Sequence, residues 1–96
     1  MEEEKFELGE MTMTAGMRDR FATDEAFRKF VTLSVGKYIT GDWGDICADD
    51  KKRNENALIV GDRVFASYRR PSTGETIWII TESDRSATTI LFPEEY

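Results

Sequence analysis

The sequence predicts an α+β domain, with helices first and an antiparallel β-meander after them. Two observations carry this reading. Residues 24–38 and 46–60 have helical spacing of apolar positions, and from Asp62 onward the period changes to two. Near the end, Thr76–Thr81 and Ala87–Phe92 are rich in β-branched and aromatic residues and flank the polar connection Glu82–Ser86. That pattern reads as a charged hairpin. Ile77 and Ile79 point to one face of its first strand, Trp78 and Ile80 to the other. Both faces are apolar, so this strand is expected to be central and covered on both sides, or covered on one and used for contact on the other. The expected architecture is two main helices, plus a short N-terminal one, on an antiparallel meander of at least three strands.

Residues 1–9 open with a glutamate run that reads as a frayed acidic end, leaving 10–96 as the domain. Met11–Thr14 alternates briefly and suits a short edge strand. Ala15–Phe21 reads as a short helix weakened by Gly16 and held by packing of Met17 and Phe21. The next helix is the clearest. Thr23 serves as N-cap, Asp24 and Glu25 sit in the first turn, and Phe27, Phe30, Val31, Val35 and Tyr38 form one stripe.

Gly41-Asp42-Trp43-Gly44-Asp45 is a turn, with Asp45 expected to cap a mostly polar helix. That helix has a thin apolar side of Ile46, Cys47, Ala57 and Leu58, and Asn54 on the same side is marked as a buried hydrogen-bonding residue. Gly61 is its terminator. Arg63–Arg70 alternates as a strand, and Pro71–Gly74 is a hairpin turn. Pro93 stops the last strand.

A single cysteine, Cys47, excludes an internal disulfide, and the acidic N-terminus is unlike a signal peptide. No apolar run approaches membrane-spanning length. A cytoplasmic setting is therefore expected. The formal charge of −6 argues against direct duplex nucleic-acid binding and for a basic protein partner. The absence of histidine removes the commonest general base and metal ligand.

Three groups could carry chemistry. Asp42, Asp45, Asp49 and Asp50 include a four-residue spacing that suits magnesium if they converge, or a capped helix N-terminus if they do not. Glu82, Asp84 and Arg85 at the hairpin tip suit anion recognition or a solvated turn with Arg85 paired to Glu82. Cys47 has no histidine to activate it and reads as a small buried residue. No cofactor is called for. Trp43 is an aromatic anchor for a partner if exposed, and a plug of the helix pair if buried.

The Gly41–Asp45 turn, Asn54-Glu55 and the ending IWIITESDRSATTILFPEEY resemble a family of short acidic proteins labelled "plasmid-related protein". Its members are carried by phages, plasmids and integrative elements of Gram-positive bacteria. The resemblance spans roughly 10–96, and it implies a mobile-element setting, with some such proteins associated with inhibition of CRISPR effectors of the Cas9 class. It implies no catalytic residues. The leading expectation is thus a non-enzymatic protein-binding inhibitor (an anti-CRISPR) that contacts its partner through Asp42, Trp43, Asp45, Asp49, Asp50, Glu82, Asp84 and Arg85. The alternatives are a magnesium-dependent hydrolase or nuclease acting on guide RNA through Asp42, Asp45, Asp49 and Glu82, or a regulatory module that forms a homodimer through a spare sheet face.

Overall fold

The computed structural model describes residues 4–96. In chain order these form β1 (Glu10–Met13), α1 (Ala15–Thr23), α2 (Glu25–Ile39), α3 (Ala48–Val60), β2 (Val64–Arg69), β3 (Thr76–Thr81), β4 (Ala87–Leu91) and a 3₁₀ turn, Pro93–Glu95. The α+β class is as the sequence predicts. The sheet differs from a pure meander: its order is β1-β4-β3-β2, and β1 runs parallel to β4. All the intervening elements lie between β1 and β4 in sequence, which gives ample chain for a parallel return. The meander survives as β2-β3-β4, with Ala66 opposite Ile79 and Ile79 opposite Ile90.

Alternation sorts these strands into two faces. Val64, Ala66, Tyr68, Ile77, Ile79 and Ile90 are buried on the inner face with Met17 of α1, Phe27, Val31 and Tyr38 of α2, and Ala57 of α3. Ile77 and Ile79 are fully buried, which fits the expected central position of β3. The outer face is not covered by a helix layer, and there Phe65 and Trp78 remain half-buried. Trp78 packs edge-on against Phe65 and Tyr96, with ring centroids 5.2 Å and 5.7 Å away.

A buried polar chain crosses the inner layer. The Tyr38 hydroxyl lies 2.7 Å from Thr81 Oγ1, which lies 2.7 Å from Thr88 Oγ1. Thr88 in turn donates to the Leu8 carbonyl at 2.7 Å. Since Thr88 spends its proton on Leu8, Thr81 donates to Thr88, and the direction of the chain is set. Burial pushes the Tyr38 hydroxyl well above the ordinary tyrosine range, so it stays neutral and able to donate.

Several local expectations are corrected. Of the stretch 1–9, residues 1–3 lie outside the described residues, but Phe6 packs against Tyr38 and Trp43, and the Lys5 N–H donates to Ile39 O at 2.7 Å. Residues 5–8 therefore join the body instead of fraying. Asp24, not Thr23, caps α2: its carboxylate accepts from the Phe27 N–H at 3.0 Å. The short first helix runs on to Thr23. Gly16, expected only to weaken it, donates its N–H to Glu95 at 2.9 Å, and a Cβ there would lie 2.8 Å from that carboxylate. A larger residue there would require the Glu95 side chain to shift.

Candidate functional site

α3 is positioned by two devices along the outer edge of β2. Asn54 donates through Nδ2 to Phe65 O at 2.6 Å and accepts through Oδ1 from the Phe65 N–H at 3.2 Å. One side-chain amide thereby does the work of a neighbouring strand, and the marked residue is indeed buried. Two residues along, the Asp45 N–H donates to Ser67 O at 2.7 Å, and the Asp45 carboxylate accepts from the Arg69 N–H at 2.8 Å. Gly44 makes this approach possible, since its φ is +74° and a Cβ would lie 2.1 Å from Ser67 O.

These contacts reassign the turn. Asp45 does not cap the following helix; α3 begins at Ala48 behind Cys47, whose side chain makes no capping bond. Cys47 itself is exposed, against the expectation of burial. Asp42 accepts from the Gly44 N–H at 3.1 Å, while its carbonyl accepts from the Tyr68 hydroxyl at 2.6 Å. Trp43 is 3% exposed, packs edge-on to Tyr38 at 5.7 Å, and donates to Glu55 at 2.6 Å. It is a plug in the fold, and the anchor role is withdrawn.

At the other end of α3, Arg85 is also structural. Its guanidinium donates to the Ala57, Asp62, Glu82 and Ser83 carbonyls, the Asp62 bond being 2.6 Å. It reaches the Glu82 backbone, not the Glu82 carboxylate, so the expected Arg85–Glu82 ion pair is replaced by a clamp between hairpin and helix end. Arg85 therefore does not present an arginine to an anion. Asp84 folds back locally: hydrogen bonds from Ser86 hold its carboxyl below the ordinary aspartate range.

The expected carboxylates thus fall into two groups. Asp42, Asp45, Asp49 and Asp50 cluster by the start of α3 and the end of β2. Glu82 and Asp84 follow Thr81, which pairs with Val64 at the opposite end of β2. A thirteen-residue helix such as α3 is roughly 20 Å long, so Glu82 cannot share a metal ion with Asp45 and Asp49. Among the described residues no three carboxylate or thiol groups converge on a metal position.

Some carboxylates of the chain are paired and others are not. Near α1, Arg20 pairs with Glu75 at 2.7 Å and with Asp24 at 3.3 Å, and Arg70 pairs with Glu75 at 3.3 Å. Hydrogen bonding from Arg20 holds the Glu75 carboxyl below its ordinary range. Asp42, Asp45, Asp49, Glu82 and Asp84 are exposed and enter no ion pair among the described residues, as do Asp62 beside the hairpin and, elsewhere, Glu7, Glu10, Asp19, Glu25 and Glu94. Asp50 is the exception, 3.8 Å from Arg53.

A further cleft lies on the outer face, where the apolar side of β3 is open for contact. Asp50, Arg53 and Asn54 of α3, with Arg63, Phe65, Trp78, Ile80 and Tyr96, line an open cleft of about 450 Å³. The apolar outer face of β3 was the available signal; the arginines at its rim had none, because they read as ordinary solvated charge.

Comparison with known protein families, with curated proteins and with solved structures finds no match. No helix among the described residues is long and apolar enough to cross a membrane.

Proposed function

We propose that this chain is a mobile-element accessory protein that works by binding a protein partner, occupying a basic nucleic-acid groove of a bacterial defence complex, in the first instance a CRISPR effector of the Cas9 class. The setting rests on the resemblance of the Gly41–Asp45 turn and the closing hairpin to the plasmid-related proteins. The observation that supports the mode of action is the set of exposed carboxylates without ion-pair partners at the two ends of the α3–β2 edge. Fixed carboxylates repel one another at some cost, and a complementary basic groove relieves that cost. Asp45 and Arg85 serve here by fixing the backbone that carries Asp42, Asp49, Asp62 and Glu82.

The guide-RNA hydrolase is disfavoured by the separation of Glu82 from Asp45 and Asp49. The test is a cleavage assay in which the purified chain is preincubated with a Cas9-class effector and its guide. The proposal expects dose-dependent loss of target cleavage with the guide RNA intact. Degraded guide, or full cleavage at saturating protein, would contradict it.

A further inference from the structure

The outer-face cleft has a composition that its position does not require. A sheet face turned toward solvent is expected to be polar, and Ser67, Thr76, Thr89 and Thr12 meet that expectation. The exceptions gather at one place. Phe65 and Trp78 are half-buried there, Ile80 below them is 4% exposed, and Tyr96 stands beside the indole. Phe65 and Tyr96 are turned 85° and 70° from the Trp78 plane, so the three rings form an angled apolar floor.

The rim carries the opposite charge to the rest of the chain. Arg53 and Arg63 border the cleft and only Asp50 offsets them, whereas the whole sequence is −6. Neither guanidinium is fully engaged. Arg63 donates to the Tyr96 hydroxyl at 3.1 Å and lies 5.6 Å from the centre of the Tyr96 ring, and Arg53 has only the long, solvent-exposed contact with Asp50. Exposed pairs of that kind contribute little, so donors remain for an anion. The cleft volume of about 450 Å³ is that of a small-molecule site.

We infer that this cleft binds a nucleoside monophosphate, with the base on the Trp78 indole and the phosphate on Arg53 and Arg63. A planar base stacks on the Trp78 ring and meets Phe65 edge-on, and a phosphate meets two forked donors. Asp50 at the rim accepts from an exocyclic amine, which favours adenine over uracil. The acidic body disfavours a long polynucleotide at the same place, since its many phosphates would face the carboxylates beyond the cleft. This site is independent of the acidic edge proposed for the protein partner.

The test is titration of the intact protein with AMP, UMP, adenosine and ribose 5-phosphate, followed by the two indole N–H resonances. Trp43 is buried and bonded to Glu55, so it serves as an internal control for the fold. The expected result is a saturable shift of the Trp78 indole with AMP, Trp43 unmoved, UMP weaker, and ribose 5-phosphate without effect on Trp78. Adenosine, and AMP on the exposed-residue variant Arg53→Ala/Arg63→Ala, should each bind at least about tenfold more weakly. Equal affinity for adenosine and AMP, undiminished binding by the double variant, or no saturable Trp78 shift at millimolar AMP would each overturn the assignment.

Discussion

The guanidinium of Arg85 donates to the carbonyl of Ala57 at 3.0 Å, joining the β3–β4 hairpin to the last turn of α3 across 28 residues of sequence. The same carbonyl accepts the N–H groups of Gly61 and Asp62, at 2.9 Å and 3.1 Å. A cation at a helix C-terminus is favoured by the helix dipole, and the four carbonyls that Arg85 reaches offset the cost of its left-handed backbone, φ +61°.

Replacing Arg85 by Met should therefore destabilise the fold by about 2 kcal/mol, because charge-assisted bonds are lost and helix-end carbonyls lose a partner. Arg85→Lys should recover less than half, since one ammonium cannot span the four acceptors. Urea denaturation measures both. A loss under about 0.5 kcal/mol for Arg85→Met would show that the clamp does not hold the hairpin.

Asn54→Leu should cost about 2–4 kcal/mol, despite adding apolar area, because the Phe65 N–H and C=O are both left unpaired. The exposed β2 edge should also make the variant prone to association, seen by light scattering. Retained stability with a monomeric variant would mean water replaces the amide without penalty.

Asn54 shows what was legible in the sequence and what was not. Its place on the Ala57 side of a helix follows from local periodicity, and so do the Phe27–Tyr38 stripe and the alternation of β2 and β3. The roles of Asp45 and Arg85 do not, because each acts on backbone groups far along the chain, and no local period encodes such a bond. The parallel seating of β1 on β4 is hidden for the same reason. Trp43 read as anchor or plug, with the plug slightly favoured, and Tyr38, Phe6 and Glu55 around it decide for the plug. The acidic residues were visible one by one, but their division between two ends of α3 needed the fold.

The two neighbours Trp78 and Ile79 should separate in mutagenesis. Ile79→Ala removes fully buried volume and should cost about 2–5 kcal/mol. Trp78→Phe, on the half-covered outer face, should cost less than Ile79→Ala. Denaturant midpoints at constant slope provide the comparison, and the reverse order would place the main core on the outer face.

The Arg20–Glu75 pair predicts an acid-sensitive element. The folded Glu75 carboxyl lies below its ordinary value of 4.5, so its contribution is present above that value and lost as pH falls beneath it. Glu75→Gln should lower the melting temperature at neutral pH and flatten its decline below pH 4.5. An unchanged acid limb in the variant would assign that decline to other carboxylates.

The most direct measurement of the proposed function is association kinetics with a Cas9-class effector across a salt series, comparing the native chain with Asp49→Lys/Glu82→Lys. These two side chains are exposed and hold no backbone group among the described residues, whereas Asp45 and Arg85 do, so their reversal leaves the fold intact. Screening acts over roughly 8–10 Å near physiological ionic strength, so association should slow steeply as salt rises. The double reversal should slow association more than it hastens dissociation, because steering acts on the encounter. A complex indifferent to salt and to both reversals would contradict the acidic-edge account.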